Sequence, residues 1–366
     1  MPLHVEVVNS MSGASILPVE AAAAPANRRL VGSGDCAFVF KLADLYERLG
    51  GTFAQAKAIA RDQLFKPRAR AIMIHDGGSN VLYSGFIMKR GIVDDEAGTL
   101  TLNTNEFRIA SSWRMTAGVN QVRNGNLKAT GKSPSAALRL ILQRMMNGDA
   151  AWQFPLDLSV LADGPGNIDV DANWYDTLQI EDLLQSLEER GYEIDFNPER
   201  TSSGALRIVP RIAPVIQTTA ITDFSVGAAK SAITNLKVDE DATQIFTGVL
   251  GAGGGSGSDT PFAFAGNSGS TGYPIADVRR DFGDMHSMAA LQQATDAEFA
   301  RYADLVEQWS FGINLDAAGL GWEHVAIGRR VRLDVRGHWW IPDGQYVKRI
   351  IARKTGLNGN VSVEVQ

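Results

Sequence analysis

The chain has 366 residues, long enough for two or three domains, and its content of 45% hydrophobic and 21% charged residues is ordinary for a globular protein. The formal net charge of −6 argues against a general nucleic-acid-binding protein, because such a protein needs a basic excess to neutralise phosphates. The N-terminus lacks a basic segment followed by an apolar core, and no apolar run approaches the ~20 residues of a membrane helix, so we expect neither a signal peptide nor stable membrane insertion.

The first third of the chain predicts β structure with two short helices. The helices are expected over 42–49 and 53–65, which are rich in Ala, Leu, Lys and Arg. Short apolar or alternating runs predict strands at 38–40, 70–75, 81–87 and 99–103, with a hairpin turn at 76–80. The lone cysteine, Cys36, cannot form an internal disulfide and is predicted to be a small buried hydrophobe.

The middle third predicts a linking helix and a small acidic α/β unit. Ser133 is a good N-cap residue and Pro134 suits the first helical position, so we expect a helix over 133–147. Further along, apolar periodicity predicts a helix over 178–187 and strands at 192–196 and 206–209. Most charged residues between 157 and 199 are acidic, which gives this unit a negative surface.

The last third returns to β structure. Strands are predicted at 221–226, 233–238, 244–250, 331–335, 345–353 and 361–365. An apolar stripe that steps by three or four residues predicts a long helix over 287–309, packed on its own domain. The glycine-rich stretch 251–258 predicts a flexible loop that could reach a neighbouring subunit, with glycines at Gly251, Gly253, Gly254, Gly255 and Gly257.

No group of residues in the sequence points to catalysis, a metal or a cofactor. The stretch 32–37 matches GxGxxA in letters but precedes a predicted strand, whereas a dinucleotide site opens a helix. The stretch 266–269 resembles the surroundings of a serine nucleophile, but the histidines that could act as its base are scattered, at His4, His75, His286, His324 and His338. The oxygen donors of one short loop lack the spacing of a calcium-binding loop and predict a solvated turn, at Asp163, Asn167, Asp169 and Asp171. We therefore expect a non-enzymatic protein.

The order of these elements resembles the tail-hub proteins of long-tailed bacteriophages. Residues 71–114 run from a strand through the Asp76-Gly77 turn and two further strands to Trp113-Arg114, and this run is similar to the first β-barrel of those proteins. Residues 327–333 and 343–346 are similar to their second barrel, and 178–209 to the α/β domain that separates the two. The resemblance spans nearly the whole chain, in order.

This resemblance implies a mixed β and α+β fold with a barrel-like β domain at each end. The implied domains are a first barrel with short helices at 1–115, a linking helix and small α/β domain at 116–218, and a second barrel at 219–366 with an inserted helical segment at about 271–310. It further implies a homotrimeric hub at the virion tail tip, assembled in the host cytoplasm, with DNA passing through its lumen. The implied partners are the distal tail, tape-measure and tip or fibre proteins. A hexameric distal tail ring and a carbohydrate-binding or cell-wall-degrading tail protein remain alternatives.

The C-terminal strands carry a cluster of cations that predicts an assembly surface. Charge asymmetry within one chain often marks such a surface, and the acidic middle region of the next subunit is one candidate partner. Adjacent tryptophans in a strand point to opposite faces, so one is expected in the core and the other at the interface. We expect the basic face to point away from the DNA channel, because a basic wall would hold DNA. The predicted surface comprises Arg329, Arg330, Arg332, Arg336, Trp339, Trp340, Lys348, Arg349, Arg353 and Lys354.

Overall fold

The computed structural model describes residues 3–117, 125–148, 150–228, 231–243, 245–266, 274–283, 285, 287–303 and 306–366. The first half of the chain contains β1 (His4–Asn9), β2 (Ser15–Val19), β3 (Ala26–Arg29), β4 (Asp35–Lys41), α1 (Leu42–Leu49), α2 (Phe53–Ala58), a π-helix (Ile59–Leu64), β5 (Arg70–His75), β6 (Val81–Asp94), β7 (Thr99–Glu106), β8 (Leu127–Lys132), α3 (Pro134–Met146), β9 (Ile168–Ala172) and α4 (Ile180–Glu189). The second half contains β10 (Glu193–Arg200), β11 (Leu206–Ala213), β12 (Ile221–Val226), β13 (Ile233–Asp241), β14 (Gly248–Gly253), β15 (Phe262–Gly266), β16 (Asp277–Phe282), α5 (Met288–Tyr302), β17 (Val306–Asn314), α6 (Leu315–Ala318), β18 (Arg330–Val335), β19 (Gly344–Thr355) and β20 (Asn360–Val365). Short 3₁₀ segments lie at Phe107–Trp113, Ala150–Trp152, Leu158–Val160, Trp174–Asp176, Gly257–Asp259 and Trp322–Val325.

A single sheet of 13 strands joins the two ends of the chain. Its strand order is β13-β17-β20-β19-β3-β4-β7-β6-β5-β1-β2, and β18, with β12 beside it, branches from β19. β3 links the halves, since it pairs with β19 on one side and β4 on the other. The described strands therefore form an open sheet. The barrel predicted for each end of the chain is not closed in this structure. The predicted boundaries at 115 and 218 remain predictions.

The core of this sheet draws on both ends of the chain. Val331, Leu333 and Val335 of β18 are buried while the residues between them face outward, which is the alternation expected of a strand with one covered face. They belong to the same buried cluster as Phe38 and Phe40 of β4. The two predicted β regions thus share one hydrophobic core.

The middle region packs against the opposite side of the N-terminal strands. The predicted linking helix is confirmed as α3, and Ser133 Oγ accepts a hydrogen bond from the Ala136 amide at 3.2 Å as its N-cap. Leu138 and Leu142 of α3 share a buried cluster with Leu184 of α4 and with Met73 of β5. The antiparallel pair β10–β11, also predicted, completes this unit.

Two predicted elements of the last third differ from the structure. The predicted helix over 287–309 ends at Tyr302, and β17 begins at Val306, where Trp309, Phe311 and Ile313 alternate as buried residues. The predicted loop 251–258 begins as a strand instead. Gly251 and Gly253 are buried in β14, the central strand of a three-stranded sheet with β15 and β16, and only the glycines at 254, 255 and 257 lie beyond it.

Candidate assembly surface

The cations of the predicted surface do not share one exposed face. Arg353 is only 3% exposed, and its guanidinium donates to the backbone oxygens of Val325 at 3.2 Å and Leu82 at 2.7 Å. Burial lowers the pKa of Arg353 to about 9. Its inclusion in a surface is therefore wrong, because the guanidinium ends inside the protein on backbone oxygens of Leu82 in β6 and of Val325.

Arg349 is likewise occupied within the chain. Its guanidinium contacts both carboxylate oxygens of Glu193 in β10, at 2.6 and 2.8 Å. The same carboxylate accepts a hydrogen bond from the Ile216 amide at 2.6 Å. A cation of the C-terminal strands thus pairs with the acidic middle region, as the charge pattern suggested, but the pairing joins two parts of one chain.

Several of the other cations also have partners in the same chain. Arg332 forms a two-pronged ion pair with Asp223, with N–O distances of 2.6 and 2.9 Å. The remaining contacts join Arg329 Nε to Thr222 Oγ1 at 3.0 Å, Arg336 to Asp334 at 3.4 Å and Lys348 to Glu307 at 3.5 Å. Within the described residues, Arg330 and Lys354 form no ion pair. The free basic surface is therefore smaller than predicted.

The two tryptophans are the most exposed part of the predicted surface. Trp339 is 102% exposed and Trp340 is 70% exposed. The prediction that one of them enters the core is wrong, because they lie in the loop between β18 and β19, where strand alternation does not apply. Ile341, the next residue, is buried in their place.

Hydrogen bonds fix the shape of this tryptophan loop, residues 336–343. His338 Nδ1 accepts hydrogen bonds from the amides of Trp340 at 3.2 Å and Ile341 at 3.0 Å. The Trp340 indole donates to Glu240 Oε1 at 2.8 Å, which ties the loop to β13. The chain thus presents two indoles on a preorganised loop, and tryptophan is enriched among the residues that dominate binding energy at interfaces.

We expect Trp339→Ala to weaken assembly without loss of stability. Since Trp339 touches little of its own chain, its removal should change the free energy of unfolding by less than about 0.5 kcal/mol. Ile341→Ala, two residues away but buried, should cost roughly 2–4 kcal/mol. Chemical denaturation measures both changes, and sedimentation measures assembly. A loss for Trp339→Ala equal to that for Ile341→Ala would show that the indole packs on its own chain.

A buried ionic network, which sequence reasoning missed, joins three parts of the fold. Arg28 of β3 lies between Glu106 of β7, with an Nε–Oε1 distance of 3.4 Å, and Asp195 of β10, with an Nη2–Oδ1 distance of 2.9 Å. Arg211 of β11 also donates to Asp195, through Nε at 2.9 Å and through Nη2. Burial raises the pKa of Glu106 to about 7, while Arg28 acts in the opposite direction.

The remaining motif residues occupy structural positions. Residues 32–37 lead into β4 rather than a helix. Cys36 is buried, and burial raises the pKa of its thiol. Asp169 Oδ1 accepts from the Gly131 amide at 2.8 Å, and Asp171 pairs with Lys128 at 3.1 Å. Three residues of the 266–269 motif (267–269), and also His286, lie outside the described residues.

The described residues contain neither a metal-binding group nor a membrane-spanning helix. No group of three or more His, Cys, Asp or Glu side chains is placed to hold a metal ion. Among the described helices, none has the length and apolar character needed to cross a membrane.

Comparison with solved structures relates the whole chain to phage tail proteins. The sequence matches no protein-family model and no curated protein. The structure is similar to a tail protein from Neisseria meningitidis (TM-score 0.58, 13% identity), covering 100% of this chain and 96% of that one. It is also similar to the 43 kDa tail protein of prophage MuSo2 from Shewanella oneidensis (TM-score 0.56, 10% identity, 100% and 96% covered) and to a prophage tail protein from Listeria monocytogenes (TM-score 0.53, 9% identity, 100% and 94% covered). Over its full length, the chain therefore has the fold of phage tail proteins.

Proposed function

We propose that the chain is a structural, non-enzymatic protein of a phage tail tip. The observation that carries this proposal is the similarity in fold to three tail proteins, which extends over the whole chain and over at least 94% of each of them. A likeness confined to one domain could reflect a widely used fold, whereas a match of all parts in one arrangement is more specific.

Within the tail tip, the role proposed is that of a homotrimeric hub. The N-terminal strands β1 to β7 and the C-terminal strands β17 to β20 give each chain two β regions within one sheet. Three chains would then contribute six regions, which suits a pseudo-six-fold ring at the junction between the tail tube and the tip. Contacts between different surfaces of identical subunits close into rings when the rotation permits.

A hub at the junction between the tail tube and the tip has defined neighbours in the virion. The hub would contact the distal tail, tape-measure and tip or fibre proteins of the virion, while DNA passes through its lumen without lasting binding. The in-chain ion pairs of Arg332, Arg349 and Lys348 are consistent with that requirement, because cations that are already paired neutralise fewer phosphates than free ones and so release fewer counterions from DNA.

Copy number tests this proposal. We expect three copies per virion by quantitative mass spectrometry against a tail-tube protein, and a trimer of the purified protein by sedimentation. Six copies per virion would instead identify a distal ring. Cell-wall clearing by the purified protein, lost on a single side-chain substitution, would overturn the structural role in favour of an enzyme.

A further inference from the structure

The N-terminal half of the molecule has five cations on elements that adjoin one another. They are carried by α2, by the π-helix that continues it, by the segment after it and by the neighbouring strand β6, and Arg90 Nη1 donates to the Arg61 backbone oxygen at 2.8 Å across the two elements. All five are exposed. We call this group the basic ridge, formed by Lys57, Arg61, Lys66, Lys89 and Arg90.

The charge of the basic ridge is almost unneutralised within the chain. Among the described residues, only Arg61 has a carboxylate within ion-pair distance, that of Asp62 at 3.7 Å. This contrasts with the C-terminal cations, most of which have partners of their own. The exposed ring of Phe53 lies on the same short helix and stands edge-on to Tyr46 at 5.0 Å. The ridge thus offers positive charge beside an apolar ring.

A surface of opposite charge lies in the middle region, on the β8–β9 hairpin. Asp169 and Asp171 face outward because they alternate with the buried residues of β9. Asp163 lies beside the same hairpin, 4.0 Å from Lys132. Lys128 and Lys132 offset only part of this charge. Together with the segment described next, these residues form the acidic edge: Asp163, Asp169, Asp171, Trp174, Tyr175 and Asp176.

Two exposed aromatic rings extend the acidic edge. Trp174 and Tyr175 are 42% and 62% exposed, with ring centroids 5.7 Å apart. Their backbone is held in place: the Trp174 amide donates to Asn126 Oδ1 at 3.0 Å, and the Asp176 carboxylate accepts from the Asn173 amide at 2.7 Å. Aromatic faces attract guanidinium and ammonium groups, so the edge attracts cations through both its carboxylates and its rings.

We propose that the basic ridge of one copy of this chain docks on the acidic edge of a second copy. This docking rests on the homotrimer proposed above and would be the contact between its subunits. No ion pair joins the two surfaces within the described part of the chain. The pairs that Asp171 and Asp163 form with Lys128 and Lys132 are exposed to water and therefore weak, so the ridge of a neighbour can compete for these carboxylates. A contact between two different surfaces repeats around a ring. A protein partner fits better than a polyphosphate, because a phosphate backbone offers nothing to Phe53.

Paired charge reversals test this docking. The ridge variant carries Arg61→Glu and Lys89→Glu, and the edge variant carries Asp163→Lys and Asp171→Lys. In sedimentation experiments, each should raise the dissociation constant of the oligomer at least about tenfold. A chain with all four substitutions places new carboxylates on the ridge and new lysines on the edge, so it should assemble better than either variant alone. Lys41→Glu with Lys237→Glu, at exposed positions that belong to neither surface, makes the same charge change as the ridge variant and should leave assembly intact.

The possible outcomes distinguish a failure of the docking from a failure of the proposed hub function. A ridge variant that assembles like the wild type, or a four-substitution chain that stays dissociated while circular dichroism shows it folded, overturns the docking and leaves the hub assignment standing. Salt-sensitive binding of duplex DNA that the ridge variant loses, with assembly unchanged, assigns the ridge to DNA and also overturns the docking. A wild-type chain that is monomeric at every concentration overturns the proposed homotrimer as well as the docking.

Discussion

Replacing Asp195 with alanine should lower the free energy of unfolding by about 3–5 kcal/mol, one of the largest effects of any single substitution in this chain. Asp195 is 3% exposed and accepts hydrogen bonds from Arg28 and Arg211. Its removal leaves the buried Arg28 guanidinium with one ion-pair partner among the described residues, Glu106 at 3.4 Å. A buried cation that loses one of its partners is not rehydrated, so part of its desolvation penalty is left uncompensated. Urea-induced unfolding measures the change.

Asp223→Ala is the matched control for this prediction. Asp223 also pairs with an arginine through both carboxylate oxygens, but the side chains of Arg332 and Asp223 are 43% and 62% exposed. Water and salt screen that pair, so its loss should cost no more than about 1 kcal/mol. Equal losses for the two substitutions would mean that burial of the Arg28 network contributes nothing.

The network also explains how distant parts of the sequence are held together. Arg28 and Asp195 are 167 residues apart, and their contact joins β3 of the large sheet to β10 of the middle region. Arg349 and Glu193 form a second such tie. We therefore expect the Asp195→Ala variant to unfold at a lower urea concentration but still in one transition. The remaining ion pair between Arg349 and Glu193 and the shared hydrophobic cores still couple the two regions.

Elements with a local signal were predictable from the sequence. The structure begins α1 at Leu42 and ends it at Leu49, as predicted, and β12 spans Ile221–Val226, again as predicted. Helix α3 carries its own start signal in Ser133 and Pro134. Each of these signals lies within a few residues of the element that it specifies, which is why no tertiary information was needed.

The joining of the two ends was not predictable in this way. β3 consists of Ala26, Asn27, Arg28 and Arg29, which has neither apolar alternation nor β-branched residues. Its place in the sheet follows from pairing with β19 and from the buried partners of Arg28, both distant in sequence. For the same reason Arg349 and Arg353 were assigned to a surface: alternation shows that a side chain leaves the strand on one side but not what covers that side.

The tryptophan loop shows a conflict between propensity and turn chemistry. Tryptophan favours strands, but Gly337 has a φ of 64°, which glycine adopts at little cost and other residues rarely do. Asp343 then accepts a hydrogen bond from the Gly337 amide at 2.7 Å and closes the loop. Turn residues on both sides of Trp339-Trp340 thus outweigh the local β propensity.

A wrong prediction of flexibility at Gly251 leads to a further test. Glycine-rich composition predicted a mobile loop, but a glycine can also mark a place where two elements approach closely. A Cβ atom at Gly251 would lie well inside the 3.0 Å that real Cβ atoms keep from other heavy atoms, against Thr295 Oγ1 of α5. Thr295 is fully buried, and its hydroxyl donates to the Leu291 backbone oxygen at 2.7 Å. Gly251 therefore sets the distance between β14 and α5.

We expect Gly251→Ala to lower the free energy of unfolding by roughly 2–3 kcal/mol, because the added methyl group forces α5 away from β14. Thr295→Ala removes the clashing hydroxyl, so the double variant should recover most of that loss, with a coupling energy above about 1 kcal/mol in a double-mutant cycle. Gly283→Ala is the control, since a Cβ there meets no heavy atom within 4 Å, and its effect should stay within about 0.5 kcal/mol. Thermal and urea unfolding measure the wild type and all four variants. If Gly251→Ala were as stable as Gly283→Ala, the first half of the glycine-rich stretch would be a loop after all, and additive effects of Gly251→Ala and Thr295→Ala would show that the two residues do not touch.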